Sequence, residues 1–165
     1  MFIMIVIFIL ICAAILIVTS GVFNVPIGYA YVIERNGKYL RTANSGINTK
    51  IPLIDKIACK CSLKESFVII DRQPIIPNDN KIIIIEGLIT YCITDPKMFK
   101  YNMKNANVAL NILTTNTLRN LLANYSSNEI IDGKADVSMT LLDILKKAGL
   151  AWGVDVIDVT YKICK

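Results

Sequence analysis

The side chains able to do covalent or metal chemistry are few, and one type is missing: among 165 residues there is no histidine. A Ser-His-Asp triad, a Cys-His pair and any His-ligated metal site are thereby excluded. Five cysteines are present, Cys12, Cys59, Cys61, Cys92 and Cys164, and no two show the C-x-x-C spacing of a zinc ribbon or a thioredoxin site. Cys59-Lys60-Cys61 reads as two residues on one face of a strand. Reduced, structural thiols are expected, in keeping with a cytosolic domain. Ser-Lys chemistry survives the exclusion. Ser62 and Lys64 share a strand face by period-two spacing, and Ser66 is a second candidate. Nothing beside them supplies an oxyanion hole or a shaped pocket, so no catalytic, cofactor-binding or metal-binding residue is assigned. A Ser-Lys hydrolase stands only as an alternative.

The elements that would position these groups follow from pattern. Tyr29 to Ile33 is rich in β-formers, and Asn36-Gly37 is a two-residue hairpin signal, because both turn positions need positive φ. Lys38 to Arg41 returns as the partner strand, and Ser45-Gly46 turns again. Ile57, Cys59, Cys61 and Leu63 alternate with Lys56, Ala58, Lys60 and Ser62 as a half-buried strand. Phe67 to Ile70 is the next strand, and Asn78-Asp79-Asn80 turns into Lys81 to Thr94, a long apolar strand expected to be central and buried on both faces.

The period changes after Asp95, a helix cap followed by Pro96 at the first helical position. A short helical segment reaches Lys104. Val108, Ile112, Leu113, Leu118, Leu121 and Leu122 then predict a helix over Asn105 to Tyr125. Ser126 to Glu129 is a Ser-x-x-Glu capping box opening a helical turn that ends near Gly133. A third helix is expected from Lys134 to Ala148, with Val137, Leu141, Leu142 and Leu145 inward and Gly149 as its stop. Val154 to Ile163 closes the domain as a strand. Strands, then helices, then a closing strand make an α+β domain.

Ahead of this domain lies an apolar run without charge, amide or hydroxyl, Met1 to Val18. As a helix it is roughly 27 Å long at about 1.5 Å per residue, close to a bilayer's hydrocarbon thickness. Thirteen of its residues are Ile, Leu, Val or Phe; these favour insertion by roughly 4 to 8 kcal/mol. A retained anchor over residues 1–20 is expected, with 21–28 as an exit segment broken by Gly21, Pro26 and Gly28, and the domain over 29–165. Two alternatives are a buried core helix and a signal peptide cleaved near Val18-Thr19-Ser20, which would leave a secreted lipid-binding module. No basic residue precedes the run, and Arg35, Lys38, Arg41 and Lys50 follow it. The positive-inside rule then places the domain in the cytoplasm of a single-pass protein. The net charge of +5 suits an anionic lipid surface. The lysines are scattered singly, without interleaved aromatics, so no nucleic-acid footprint is present.

Several segments taken in order resemble the stomatin, prohibitin and band-7 (SPFH) family, and stomatins among them. They are Val25-Pro26-Ile27-Gly28, Val32-Ile33-Glu34-Arg35-Asn36-Gly37-Lys38-Tyr39, Ser45-Gly46-Ile47 and Ile51-Pro52-Leu53-Ile54-Asp55. Gln73, Asp79-Asn80, Asp95-Pro96, Thr117-Leu118-Arg119 and Trp152-Gly153-Val154 complete the set. The resemblance implies a non-enzymatic, cofactor-free membrane scaffold that forms homo-oligomers and organises membrane microdomains. Its implied partners are the lipid bilayer and either a membrane protease of the FtsH or NfeD type or a channel. Asn44-Ser45 stands where stomatins carry an acidic residue and proline, and Pro77 where a hydroxyl residue is common. Stomatins continue into a long coiled-coil helix, whereas this sequence stops at Lys165. The expectation is a minimal member or a truncated product that associates laterally without a large closed cage.

Residue readings remain paired at this point. Glu34 and Arg35 are inter-subunit polar residues or a solvated hairpin end. Ile51 to Ile54 dips into a membrane interface or packs in a core. Arg119 pairs with a carboxylate or a neighbouring subunit, or lies on a solvated helix face. Gly46 supplies a conformation closed to other residues. Trp152 packs as a lid where the chain leaves the third helix.

Overall fold

The computed structural model describes Met4, Ile7 and residues 21–132 and 137–164. The anchor expected over residues 1–20 lies outside the described residues, apart from Met4 and Ile7, which are helical. Among the described residues no helix is long and apolar enough to cross a membrane. The chain divides into two compact units, Met1–Leu63 and Lys64–Lys165.

The first unit is built from antiparallel strands. β1 (Val22–Val25) pairs with β4 (Gly46–Thr49). β2 (Tyr29–Arg35) sits between β3 (Lys38–Ala43) and β5 (Asp55–Ser62). The β2–β3 turn is the expected one, with Asn36 at φ 51° and Gly37 at φ 78°. Val25, Tyr31, Ile33 and Ala43 form a small core, joined by Phe23, Tyr29 and Ile57. β1 falls within the expected exit segment. It is a strand because Phe23 stacks on Tyr31, ring centroids 6.2 Å apart, which gives the segment a core to pair over.

The simple alternation expected in β5 is broken. Val32 pairs with Cys59 but Ile33 with Ile57, so Ala58 is a bulge. Ile57 therefore joins the Tyr31 and Ile33 core, while Cys59 and Cys61 stand opposite Val32 and Ala30.

The second unit is an antiparallel sheet in the order β6 (Ser66–Ile75), β7 (Ile83–Ile93), β8 (Val154–Cys164). Between β7 and β8 run α1 (Pro96–Asn102), α2 (Ala106–Leu122), α3 (Ser127–Ile131) and α4 (Ser138–Leu150). β7 is central as expected, but only one of its faces is covered. Ile83, Ile85, Ile89 and Tyr91 pack with Leu110, Leu118, Leu122, Leu141 and Leu145 from the helices, whereas Ile84 and Leu88 are exposed. Asp95 caps α1 through the N–H groups of Lys97 and Met98, and Ser126 with Glu129 completes a capping box on α3.

The helix expected over Asn105 to Tyr125 is present as α2, and the expected stop at Gly149 needs correction. The buried stripe of α2 is Ala106, Leu110, Thr114, Leu118 and Leu122, while Val108 and Ile112 face solvent. The helix is apolar on several sides, so periodicity alone could not choose its inner face. Gly149 lies inside α4 instead of stopping it. A Cβ there would stand 2.5 Å from the Val154 carbonyl oxygen, so its role is close approach of helix to strand. The turn glycine is Gly153, at φ 70°. Trp152 packs against the core as expected. The expected helix start at Lys134 lies outside the described residues, as does Gly133.

Candidate functional site

The most worked local structure in the first unit is the loop from Ile51 to Ile54 and the ion pair beneath it. Arg35 ends β2, Asp55 begins β5, and the two are register partners. Arg35 Nε donates to Asp55 Oδ1 at 2.7 Å and its Nη2 to Oδ2 at 3.2 Å, the bidentate geometry that suits guanidinium and carboxylate. The Asp55 side chain is 3% exposed. Its Oδ2 also accepts the Ile51 N–H at 2.8 Å, and its own N–H donates to the Ile51 carbonyl at 2.9 Å. The loop is thereby closed on itself across four residues. The Arg35 hydrogen bonds, helped by the Ile51 N–H, pull the Asp55 pKa down to about 2.

This closure dictates what the loop displays. Leu53 sits at φ 70°, a left-handed conformation that costs a residue with a Cβ about 1 to 2 kcal/mol. Its side chain is fully exposed, flanked by exposed Ile51 and Ile54. Core packing of this loop, one of its two expected roles, is therefore not what occurs. The hairpin-end reading of Arg35 is likewise replaced by the Asp55 pair, which joins positions twenty residues apart. Gly46 does adopt a conformation closed to other residues, φ 113°.

The Ser-Lys candidates are divided between the two units. Ser62 ends β5 in the first unit, whereas Lys64 and Ser66 belong to the second. The strand face that would align Ser62 with Lys64 stops at Ser62. Cys59 and Cys61 do share a face, with their sulfurs 3.1 Å apart, and neither they nor Cys92 and Cys164 form a disulfide among the described residues. Cys12 lies outside the described residues. No group of three or more metal-ligating side chains occurs among the described residues. Arg119 is exposed on α2 and makes no ion pair among the described residues.

The sequence marks Asp79 as a turn residue and part of the family resemblance, but does not show its bond to Ser127. Asp79 Oδ1 accepts the Ser127 hydroxyl at 2.7 Å and its Oδ2 the Ser127 N–H at 3.2 Å, tying the β6–β7 turn to α3. The hydroxyl bond holds its pKa below the usual carboxylate range. The Asx-like composition of Asn78-Asp79-Asn80 signals the turn but not its distant partner.

Residues 23–162 match the model of the SPFH domain / Band 7 family. An uncharacterized protein of Mycobacterium tuberculosis is 30% identical over 148 residues, 90% of this chain and 39% of that protein. Human stomatin-like protein 2, mitochondrial, is 29% identical over 133 residues, 81% of this chain and 37% of that protein. An uncharacterized protein of Methanothermobacter thermautotrophicus is 30% identical over 128 residues, 78% of this chain and 40% of that protein. The chain thus spans about two-fifths of the length of the curated relatives it matches. By the extent of the family match, with the α+β architecture described above, the chain belongs to the SPFH domain / Band 7 family.

Proposed function

We propose that this protein is a non-enzymatic membrane scaffold. It is anchored by the apolar run at residues 1–20 and seated on the bilayer by the Ile51 to Ile54 loop, with its domain on the cytoplasmic side. It self-associates laterally and so organises the membrane around it or regulates a neighbouring membrane protease or channel. The observation that carries the reading is Leu53. A folded chain holds a fully exposed leucine in a disfavoured conformation, fixed from below by a bidentate ion pair. An apolar side chain displayed in this way is suited to an apolar phase outside the protein. Chain connectivity supports the same placement. Gly21 follows the apolar run by three residues, so it lies within about 11 Å of the run's end at full extension.

Carbonate extraction of membranes with in-membrane crosslinking tests this reading. The full-length chain stays with the membrane pellet, and crosslinking gives a ladder. Release into the supernatant, or a single crosslinked-free band, contradicts it.

A further inference from the structure

The charge of this chain is unevenly divided. Residues 1–63 hold six Lys or Arg side chains, Arg35, Lys38, Arg41, Lys50, Lys56 and Lys60, against Glu34 and Asp55. The unit that contains the apolar run therefore carries +4 of the chain's +5. Part of that charge converges on a cleft of about 540 Å³. Arg35, Arg41 and Lys50 line it with Val22, Ile51 and Pro52, and Asp55 lines it as well.

The cations are not equivalent. Arg35 is taken up by Asp55, whose carboxylate is itself closed from solvent. Arg41 is held in place by its Nη2 donating to the Thr49 carbonyl and makes no ion pair among the described residues, although its charge acts on the Asp55 carboxylate. Lys50 continues from Thr49, and its backbone N–H donates to the Gly21 carbonyl at 2.8 Å, fixing the chain that carries it against the start of β1. Three cations thus share one carboxylate in this cleft, which leaves its lining with a net charge of +2. Its wall continues through Ile51 and Pro52 into the apolar loop that ends in exposed Leu53 and Ile54.

We propose that this cleft binds the phosphate headgroup of an anionic lipid. Arg41 and Lys50 engage the phosphate, and the Ile51 to Ile54 loop lies along the acyl chains. The inference rests on the membrane-seated reading above and adds a lipid class to it. Cation and apolar surface lie side by side, as phosphate and acyl chain do in the ligand. Recognition therefore needs both parts, and a free phosphate satisfies only one. A choline headgroup places its own cation beside Arg41 and Lys50 and is disfavoured. Arg35 is a positioning residue: it holds Asp55, and through Asp55 the backbone of Ile51.

The test uses the full chain in a neutral detergent, with native mass spectrometry counting bound lipid. The probes are dioctanoyl phosphatidic acid, dioctanoyl phosphatidylcholine and inorganic phosphate. Phosphatidic acid is expected to bind one per chain, at least tenfold tighter than phosphatidylcholine, and millimolar phosphate does not displace it. Lys50→Gln and Arg41→Gln each weaken phosphatidic acid binding about tenfold and leave phosphatidylcholine binding unchanged, with unfolding temperatures close to that of the parent. Equal retention of the two lipids, variants that bind phosphatidic acid like the parent, or full displacement by inorganic phosphate each overturn the proposal. Quenching of Leu53→Trp emission by brominated acyl chains, in a chain also carrying Trp152→Phe, reports separately whether the loop reaches the bilayer. Loss of lipid selectivity with quenching intact removes the headgroup site alone, and loss of quenching removes the membrane-seated reading.

Discussion

Arg35 and Asp55 are cross-strand partners that grip each other through two hydrogen bonds, 2.7 and 3.2 Å, at the base of the exposed apolar loop Ile51 to Ile54. The pair does two things at once. It locks β2 to β5, and through Asp55 Oδ2 it fixes the Ile51 N–H and so the shape of the loop.

Acid should loosen this arrangement. Asp55 has its pKa lowered to about 2 in the folded state, against 3.8 ordinarily. Its contribution is therefore complete above about pH 4 and is lost as pH falls from about 4 towards 2. Asp55→Asn should lower the unfolding temperature at neutral pH and flatten its decline across that window. A variant whose acid sensitivity matches the parent would show that the pair is not responsible.

Leu53 should trade stability against membrane contact. Leu53→Gly relieves the left-handed strain, φ 70°, and removes no buried contact. Unfolding of the full chain in neutral detergent should show no loss of stability and a gain of up to about 1 kcal/mol. Insertion of the loop into lipid should weaken in the same variant. A destabilised Leu53→Gly chain would mean that the leucine packs against something in the folded protein.

The inner face of α2 can be read by paired truncations. Leu118→Ala removes a fully buried side chain and should cost about 2 to 5 kcal/mol. Ile112→Ala, on the exposed face, should change stability by no more than about 0.5 kcal/mol. Equal losses at the two positions would require a second covered face on this helix.

Gly153 should tolerate nothing larger. A Cβ there would stand 2.4 Å from the Asp95 carbonyl oxygen, and φ is 70°. The Thr94 and Asp95 N–H groups both donate to the Gly153 carbonyl, at 3.0 and 3.1 Å, so displacement opens the joint between α1 and β8. Gly153→Ala should destabilise by more than about 1 kcal/mol, measured by chemical unfolding.

The features legible in the sequence were those whose cause is local. Asn36-Gly37, Asp95-Pro96 and Ser126 to Glu129 each encode their geometry within four residues, and each appears where expected. The features that escaped depend on partners distant in sequence. β1 is a strand only because β4 pairs with it and Phe23 meets Tyr31. The bulge at Ala58 is a matter of register with β2, invisible in the alternation of β5 itself. Gly149 reads as a stop in the sequence because its nearest constraint, the Val154 carbonyl, belongs to the following strand. At the candidate site, Ile51 to Ile54 drew attention as an apolar loop, but the Arg35–Asp55 pair that shapes it spans twenty residues.

The seating of the loop on the bilayer is tested most directly by depth-dependent quenching of a single tryptophan. Trp152 is the only native tryptophan, so a full-length chain carrying Leu53→Trp and Trp152→Phe reports from the loop alone. In proteoliposomes containing lipids brominated along the acyl chain, the account predicts blue-shifted emission that is strongly quenched by bromine near the headgroup end and weakly by bromine near the chain terminus. Solvent-like emission, insensitive to bromine at every depth, would contradict it.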